Sequence, residues 1–530
     1  MEGSPSVKEA AAMRRLISTL VLAICAVFGW LAWWHLGQPV AVADASRARV
    51  NCVSYAPFAG DESPLDGTFM ASPERIAQDM ERLTQLTECV RTYGTANGLD
   101  QVPAAAEKAG LQVMQGIWIG RADADNEREI ARGIALAQAY PQTIRAVVVG
   151  NEALLRREIT AERLSVLIDR VKAQVSQPVT YADVWEFWHQ NSSLAAHVDF
   201  VTLHLLPYWE DQPAAIDQAL AHISDTYRQM EAVFPHKPLL IGEIGWPSIG
   251  RQRQGAEASK VNETRFIRQV VTIAAEQGWQ YNLIEAFDQP WKRALEGTTG
   301  GYWGLFDQDR SQKVTLQGPV VELTGWQDWA LGAVALTLLL AAVTLVPVRK
   351  QTDALGLAVM VTGAAAAANS LTFLARYLLL SARNPSEEGV ALAVFALMVG
   401  TALVLLRALP QAQPSALLGL LRRLCLAVAA VAMLGHLFDA RYRDFPSSMF
   451  LIPAVGFALL RWQAKGDALP RAKEETPLAA LVLGGAVYVM ADEGWQNDDA
   501  IAWALTLALF ALASLPWPLW SAKTLRRGLP

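Results

Sequence analysis

The chain has 530 residues, of which 52% are hydrophobic and 18% charged, and its mean hydropathy is +0.20. Ordinary soluble domains carry about 25% charged residues and disordered chains few apolar ones, so the composition argues against both classes. A formal net charge of −6 argues against a nucleic-acid binder, and four cysteines without a C-x-x-C spacing argue against a zinc ribbon or a thioredoxin-type site.

The first apolar run is Leu16–Trp34, preceded by Arg14 and Arg15. It is long enough to cross a bilayer. The competing reading is a cleaved signal peptide, because Ala41, Ala43 and Ala45 follow. The terminal Trp33 and Trp34 favour an uncleaved anchor, and either reading sends the next segment across the membrane. Residues 47–322 have the charge density of a water-soluble domain. Seven further apolar spans follow, near 329–348, 354–380, 389–407, 417–438, 448–462, 477–491 and 500–520. Placing the N-terminus inside puts Lys8, Arg14, Arg15, Arg349, Lys350, Arg407, Arg422, Arg423, Arg461, Lys465, Arg471, Lys473, Lys523, Arg526 and Arg527 on the inner side. The outer edges then hold only Arg376, Arg383, Arg441 and Arg443, among acidic residues such as Glu387, Glu388, Asp492 and Asp499. The expected organisation is an anchor over 1–46, a periplasmic domain over 47–322 and a seven-span region over 323–530. Both termini would be cytoplasmic in a bacterial inner (plasma) membrane.

Within 50–290, short apolar runs alternate with amphipathic stretches. The predicted strands are 50–58, 89–93, 111–119, 144–152, 178–184, 198–206, 238–246 and 279–287. Pro73 and Thr160 suit helix starts. Eight β-α units over this length match a (β/α)8 barrel; an open doubly wound sheet is the alternative, but no G-x-G-x-x-G supports it. The fold class is therefore α/β, joined to an all-α polytopic region. Cys52 and Cys89 each open a predicted strand and could form a disulfide or remain two buried thiols. Cys25 and Cys425 fall in apolar spans as packing residues.

Catalytic residues of such barrels sit at the carboxyl ends of strands. The predicted ends carry Tyr55, Tyr93, Trp118, Asn151, Glu152, Asp183, His204, Glu243 and Glu285. Glu152 closes the apolar run AVVVGNE, and Glu243 closes LLIGE. A carboxylate after a buried strand is costly unless paired or hydrated, so two of them point to a shared cleft. Glycoside cleavage needs this pair: one acid for the leaving oxygen and one carboxylate on the other face of the sugar.

The string IGEIGWPS resembles the nucleophile signature of glycoside hydrolase family 17, a retaining β-glucanase family with a (β/α)8 fold, and VGNEAL resembles its acid/base segment. VSYAPF, VRTYG and GLFDQDRSQK extend the resemblance over about 50–315. It implies Glu152 as acid/base, Glu243 as nucleophile and Asn151 as partner of the sugar 2-hydroxyl. It also implies that Tyr55, Tyr93 and Tyr208 line the cleft, one of them orienting Glu243. On that mechanism the site should raise the pKa of Glu152 and leave Glu243 ionised. One departure stands out: the family's E-x-x-K is here Gln289 followed by Lys292, with Glu285 or Asp288 available to compensate.

Trp185, Trp188, Tyr208, Trp209, Trp246, Trp291 and Trp303 are candidates for a sugar platform, with at least two expected in the core. His204 is either a packed histidine or a ligand contact. No metal site is legible in the spacing, and no cofactor is implied. The resemblance leaves the acceptor open between water, giving a β-glucanase, and a glucan hydroxyl, giving a transglycosylase. Multi-span bacterial relatives are commonly described as β-(1→6)-glucan synthases, and eight spans favour transfer. LLRWQ at 459–463 has the wrong order for a nucleotide-sugar synthase. A non-catalytic scaffold for a separate glucan polymerase or exporter is the third class. The expected partners are a β-glucan and the lipid bilayer, with no nucleic acid.

Overall fold

Eight short parallel strands close into a barrel in the computed structural model. They are β1 (Val53–Ser54), β2 (Cys89–Arg91), β3 (Gln112–Ile117), β4 (Ile144–Asn151), β5 (Val179–Val184), β6 (Val201–His204), β7 (Leu239–Ile244) and β8 (Gln280–Leu283). Each pairs with its neighbour in sequence, and β1 pairs with β8 to close the ring. The (β/α)8 expectation is confirmed, and the open sheet is excluded. The strands are shorter than the apolar runs because several runs continue into loops at the carboxyl ends.

Alternation along each strand separates two cores. Val53, Val90, Val113, Val147, Val149 and Ile241 face outward and pack with the surrounding helices. Cys52, Cys89, Met114, Ala146, Val148, Ala182 and Leu240 fill the floor of the barrel. Cys52 and Cys89 are joined there by a disulfide.

The helices begin where local chemistry allows. In the helix over Pro73–Leu83, Pro73 occupies the first turn and Ser72 Oγ accepts the Arg75 N–H at 3.2 Å. Thr160 caps Ala161–Lys172 by accepting the Arg163 N–H at 3.4 Å. Both predicted starts are therefore real starts.

The structure describes residues 7–348, 350–439, 444–464 and 472–515. Arg349, Arg441, Arg443, Lys465, Arg471, Lys523, Arg526, Arg527 and the end of the last predicted span lie outside them. The chain forms two compact units, Pro39–Val320 with the barrel, and a second made of residues up to Gln38 together with those from Val321. The second unit is helical. A helix over Val7–Leu36 packs on another over Ala354–Ser381, with Gly29 directly against Asn369. Six of its described helices are long and apolar enough to cross a membrane. Two more, Ser447–Gln463 and Asp498–Ser514, have 17 residues each. Inside this unit Arg422 pairs with Glu475 at 2.7 Å, both buried.

Candidate active site

Local backbone irregularity aims the key residues inward. The β4–β5 register shifts between Val148 and Asn151, and Gly150 and Glu152 have φ of +86° and +52°. A bulge of this kind re-aims side chains at a strand end. Consecutive residues Asn151 and Glu152 are thus both available to the barrel mouth, which strict alternation would forbid. A left-handed φ is sparsely populated for glutamate and clusters at functional positions. The β6–β7 pairing shifts as well, setting His204 opposite Glu243.

Single ligand-type atoms of Glu152, His204 and Glu243 lie within 4.8 Å of one another. His204 Nδ1 is 2.8 Å from Glu152 Oε1, and its Nε2 is 3.6 Å from Glu243 Oε1. The His204 side chain is fully buried, while that of Glu152 keeps 22% exposure. Gly242 makes room for the ring: a Cβ there would stand 2.3 Å from Thr202 Cγ2 and 3.1 Å from the imidazole. This trio has the composition of a metal-ligand set, which the sequence spacing did not reveal. A fixed cation, Arg91, already faces it.

Arg91 is the main residue that the sequence reading missed. It is buried, donates to Gly242 O and Asn151 Oδ1 at 2.6 Å each, and lies 3.5 Å from Glu243 Oε1. Its parity could have found it, because Cys89, Arg91 and Tyr93 share one face of β2 and its extension. Tyr93 sits beneath the guanidinium, 4.9 Å from ring centroid to Cζ, and donates to Ser54 Oγ at 2.9 Å.

On the far side, Lys292 Nζ donates to both oxygens of Glu285 at 2.8 Å. Glu285 therefore supplies the carboxylate partner of Lys292, and Gln289 is a buried structural amide that donates to Ala56 O and Phe287 O. Asp288 pairs with Lys313 at 2.7 Å, which gives the SQK of GLFDQDRSQK a structural role.

Charge states are distributed differently from the sequence expectation. Burial alone would raise Glu152, but the His204 hydrogen bond and charge, with Arg156 and Arg91, outweigh it and hold the carboxyl below its ordinary value. This corrects the expected upward shift. The raised carboxyls surround it: burial pushes Asp183 up to about 6, Glu285 up to about 7 against the pull of Lys292, and Glu296 up to about 7.

The site brings together Glu152, Glu243, Asn151, His204, Tyr93, Glu285 and Lys292. It does not bring in Tyr55, Tyr208 or Trp246. Tyr55 has the opposite parity to Ser54, points into the helix layer, and donates to Asp79 Oδ2 at 3.0 Å. Tyr208 is fully buried and donates to Arg251 O at 2.5 Å. Trp246 is buried against Phe266 and donates to Glu257 O at 2.8 Å. Trp188 and Trp303 are core residues as well. Half-exposed rings remain at Trp185, Trp209 and Trp291, and Trp118 is 40% exposed with Arg156 Cζ 4.1 Å from its ring centroid. A separate cavity of about 380 Å³ lies at the opposite, amino-terminal end of the strands, lined by Arg47, Arg49, Glu88, Trp279 and Tyr281. The carboxylates are at the other end.

Residues 52–304 match the family model described as the BtgE/BtgC glycoside hydrolase domain. A glucan 1,3-beta-glucosidase of Schizosaccharomyces pombe is 30% identical over 273 residues, covering 47% of this chain and 83% of that protein. A protein of Aspergillus clavatus named "Probable glucan endo-1,3-beta-glucosidase btgC" is 28% identical over 299 residues, covering 50% of this chain and 42% of its own length. This chain thus spans less than half the length of the btgC relatives it matches. An active-site mutant of Rhizomucor miehei beta-1,3-glucanosyltransferase in complex with laminaritriose is similar at 24% identity and a TM-score of 0.45, over 51% of this chain and 97% of that one. The chain belongs to the glycoside hydrolase family of the Schizosaccharomyces pombe glucan 1,3-beta-glucosidase, and its barrel is that of a glycoside hydrolase-like enzyme.

Proposed function

We propose that the protein is a membrane-bound, retaining β-1,3-glucan transglycosylase. The observation that carries the reading is the approach of Glu152 and Glu243 to within 4.8 Å, oxygen to oxygen. Carboxyl pairs about 5–5.5 Å apart act through a covalent glycosyl-enzyme, whereas about 6.5–9.5 Å is needed to admit an inverting water. Glu243 attacks the anomeric carbon as Glu152 protonates the departing oxygen. The covalent glycosyl ester then passes its glycosyl group to an acceptor hydroxyl, whose proton returns to Glu152. Arg91, 3.5 Å from its Oε1, holds Glu243 in place. Asn151, anchored through its oxygen, offers its amide to the sugar 2-hydroxyl. Trp118, Trp185, Trp209 and Trp291 supply ring faces for neighbouring glucosyl units.

Transfer is preferred to hydrolysis because a degradative enzyme gains little from so large a helical unit, while an enzyme remodelling a polymer at a membrane has reason to be held there. In this reading the apolar helices cross the inner membrane, the anchor, barrel and helical region fall at 1–46, 47–322 and 323–530, and the barrel is periplasmic. An acceptor O6 would give β-1,6 linkages without a nucleotide sugar. Names of the relatives favour the second reading, β-1,3-glucan hydrolysis. The test is incubation with laminari-oligosaccharides followed by analysis of product length and linkage. Longer or branched products are expected; shorter products alone overturn transfer. Glu152→Gln and Glu243→Gln should each abolish turnover, and wild-type turnover in either overturns the site. Protease protection of the barrel in intact cells, lost on opening the outer membrane, tests the topology.

A further inference from the structure

We propose that the cavity at the amino-terminal end of the barrel is a second carbohydrate site, which holds one or two glucosyl units of a β-glucan away from the catalytic mouth. The proposal rests on the β-glucan reading above. At about 380 Å³ the cavity is within the size range of small-molecule sites. Its wall is built from the segments that lead into β1, β2 and β8, where Asn51, Glu88 and Trp279 stand, and from the last turns of the helix over Lys260–Gln277. All of these belong to the barrel unit, and none of the lining residues belongs to the carboxylate mouth.

The lining has the chemistry of a polyol site. Trp279 is half-buried, and Tyr227 stacks on it with ring centroids 4.5 Å apart and 28° between the planes. Tyr227 is not part of the cavity wall, so it fixes the indole from behind and leaves the rest of the ring to the cavity. A ring held in this way loses little freedom when the C–H face of a glucosyl unit packs on it. Tyr281 is 4% exposed; its hydroxyl accepts the Asn51 N–H at 3.2 Å, and its own proton has no acceptor among the described residues. Arg47 is exposed, and its side chain makes no hydrogen bond or ion pair among the described residues. Tyr281 and Arg47 are therefore donors, and the Glu88 carboxylate, 74% exposed, is an acceptor. That carboxylate also argues against an anionic ligand. Arg49 is already committed to Thr84 O, Thr87 O and Glu88 Oε1, so an anion would meet Glu88 with Arg47 alone to offset it. A sugar hydroxyl donates to Glu88 and accepts from Arg47 or Tyr281 at once.

The two sites lie at opposite ends of the strands. β4 alone runs eight residues at about 3.3 Å each, about 26 Å from end to end. A trisaccharide cannot occupy both sites at once. A long chain can, by passing round the barrel, and its second contact is then intramolecular, at an effective concentration set by the glucan between the sites. The cavity thus selects polymer over oligosaccharide and keeps a chain on the enzyme between successive transfers.

The experiment counts sites by calorimetric titration of laminaritriose into the full-length Glu243→Gln protein in detergent. Two sites per chain are expected, and one when Ala275→Trp is added, because Ala275 lines the cavity from the helix wall and an indole there fills it. Kinetics with Glu243 intact separate binding from chemistry. Ala275→Trp should leave kcat/KM on laminaritriose within about twofold of wild type and raise KM on a long soluble β-1,3-glucan at least about fivefold, the loss of the second contact. Arg47→Ala changes an exposed position and should give the same pattern at about twofold or more; it decides the matter if Ala275→Trp does not fold. A single site in the Glu243→Gln protein, or an unchanged KM on the polymer in the folded variants, overturns the proposal. Displacement of laminaritriose from the second site by inorganic phosphate at matched ionic strength makes it an anion site and overturns the proposal too. Absence of any laminaritriose binding, at the mouth as well as the cavity, would instead defeat the β-glucan reading beneath it.

Discussion

The Arg91 guanidinium stands 3.5 Å from Glu243 Oε1, with both side chains almost wholly buried. A buried cation beside a buried carboxylate cannot be removed without leaving the other charge uncompensated. Arg91→Met should lower kcat/KM by about a hundredfold or more, the scale of losing a preorganised electrostatic group. Arg91→Lys should fall short of rescue, because an ammonium cannot fork to Gly242 O and Asn151 Oδ1 together. Steady-state kinetics on laminari-oligosaccharides, with thermal unfolding as a folding control, check both.

The Glu285–Lys292 pair sets a pH dependence of stability. Burial raises Glu285 from 4.5 to about 7. A carboxyl that binds its proton more tightly in the fold than in the unfolded chain contributes stability that is complete below about pH 4.5 and is lost as pH rises through about 7. Glu285→Gln should therefore shrink the drop in Tm between pH 5 and pH 8. Lys292→Met, which removes the opposing charge, should enlarge it. Equal drops in all three proteins would show that Glu285 does not titrate in this window.

Gly242→Ala should damage both fold and activity. The added methyl meets Thr202 Cγ2 at 2.3 Å and the His204 ring at 3.1 Å, in a fully packed interior. Overpacking costs about 1–3 kcal/mol, and a displaced ring uncouples from Glu152. Denaturant unfolding and kcat report the two effects separately.

The disulfide closes a 37-residue separation between Cys52 and Cys89. Chain-entropy estimates for a loop of this size are about 3–4 kcal/mol. Reduction, or the Cys52→Ala/Cys89→Ala double variant, should lower the unfolding midpoint of the barrel. Under conditions where the variant remains folded, KM should stay within twofold, because the sulfurs lie on the barrel floor and the carboxylates at its mouth.

Trp118→Ala should raise KM severalfold with little change in kcat. The ring is 40% exposed and lies beneath Arg156, which also donates to Asn151 O and Ile119 O. Loss of a ring face removes binding common to ground state and transition state.

Much of this was legible beforehand. The apolar runs ending in Asn151-Glu152 and Glu243 disclosed the barrel and the pair together, since only a strand end at an open mouth tolerates such residues. Parity was the information left unread. Tyr55 follows inward-facing Ser54 and must face out, whereas Arg91 lies between inward-facing Cys89 and Tyr93 and must face in. The position of Lys292 was readable, but its partner was not, because pairing with Glu285 depends on how the chain folds back after β8. Glu152's low carboxyl was illegible for the same reason: it arises from His204, 52 residues away in sequence.

The helix over Val7–Leu36 shares its unit with segments beginning at Val321 and packs on the helix that starts at Ala354. More than 300 residues separate them in the chain. At ribosomal speeds of about 5–20 residues per second, the first helix waits tens of seconds for its neighbour to be made. The barrel is completed during that interval, so biosynthetic order makes the catalytic unit an early product and the closing of the helical unit a late one.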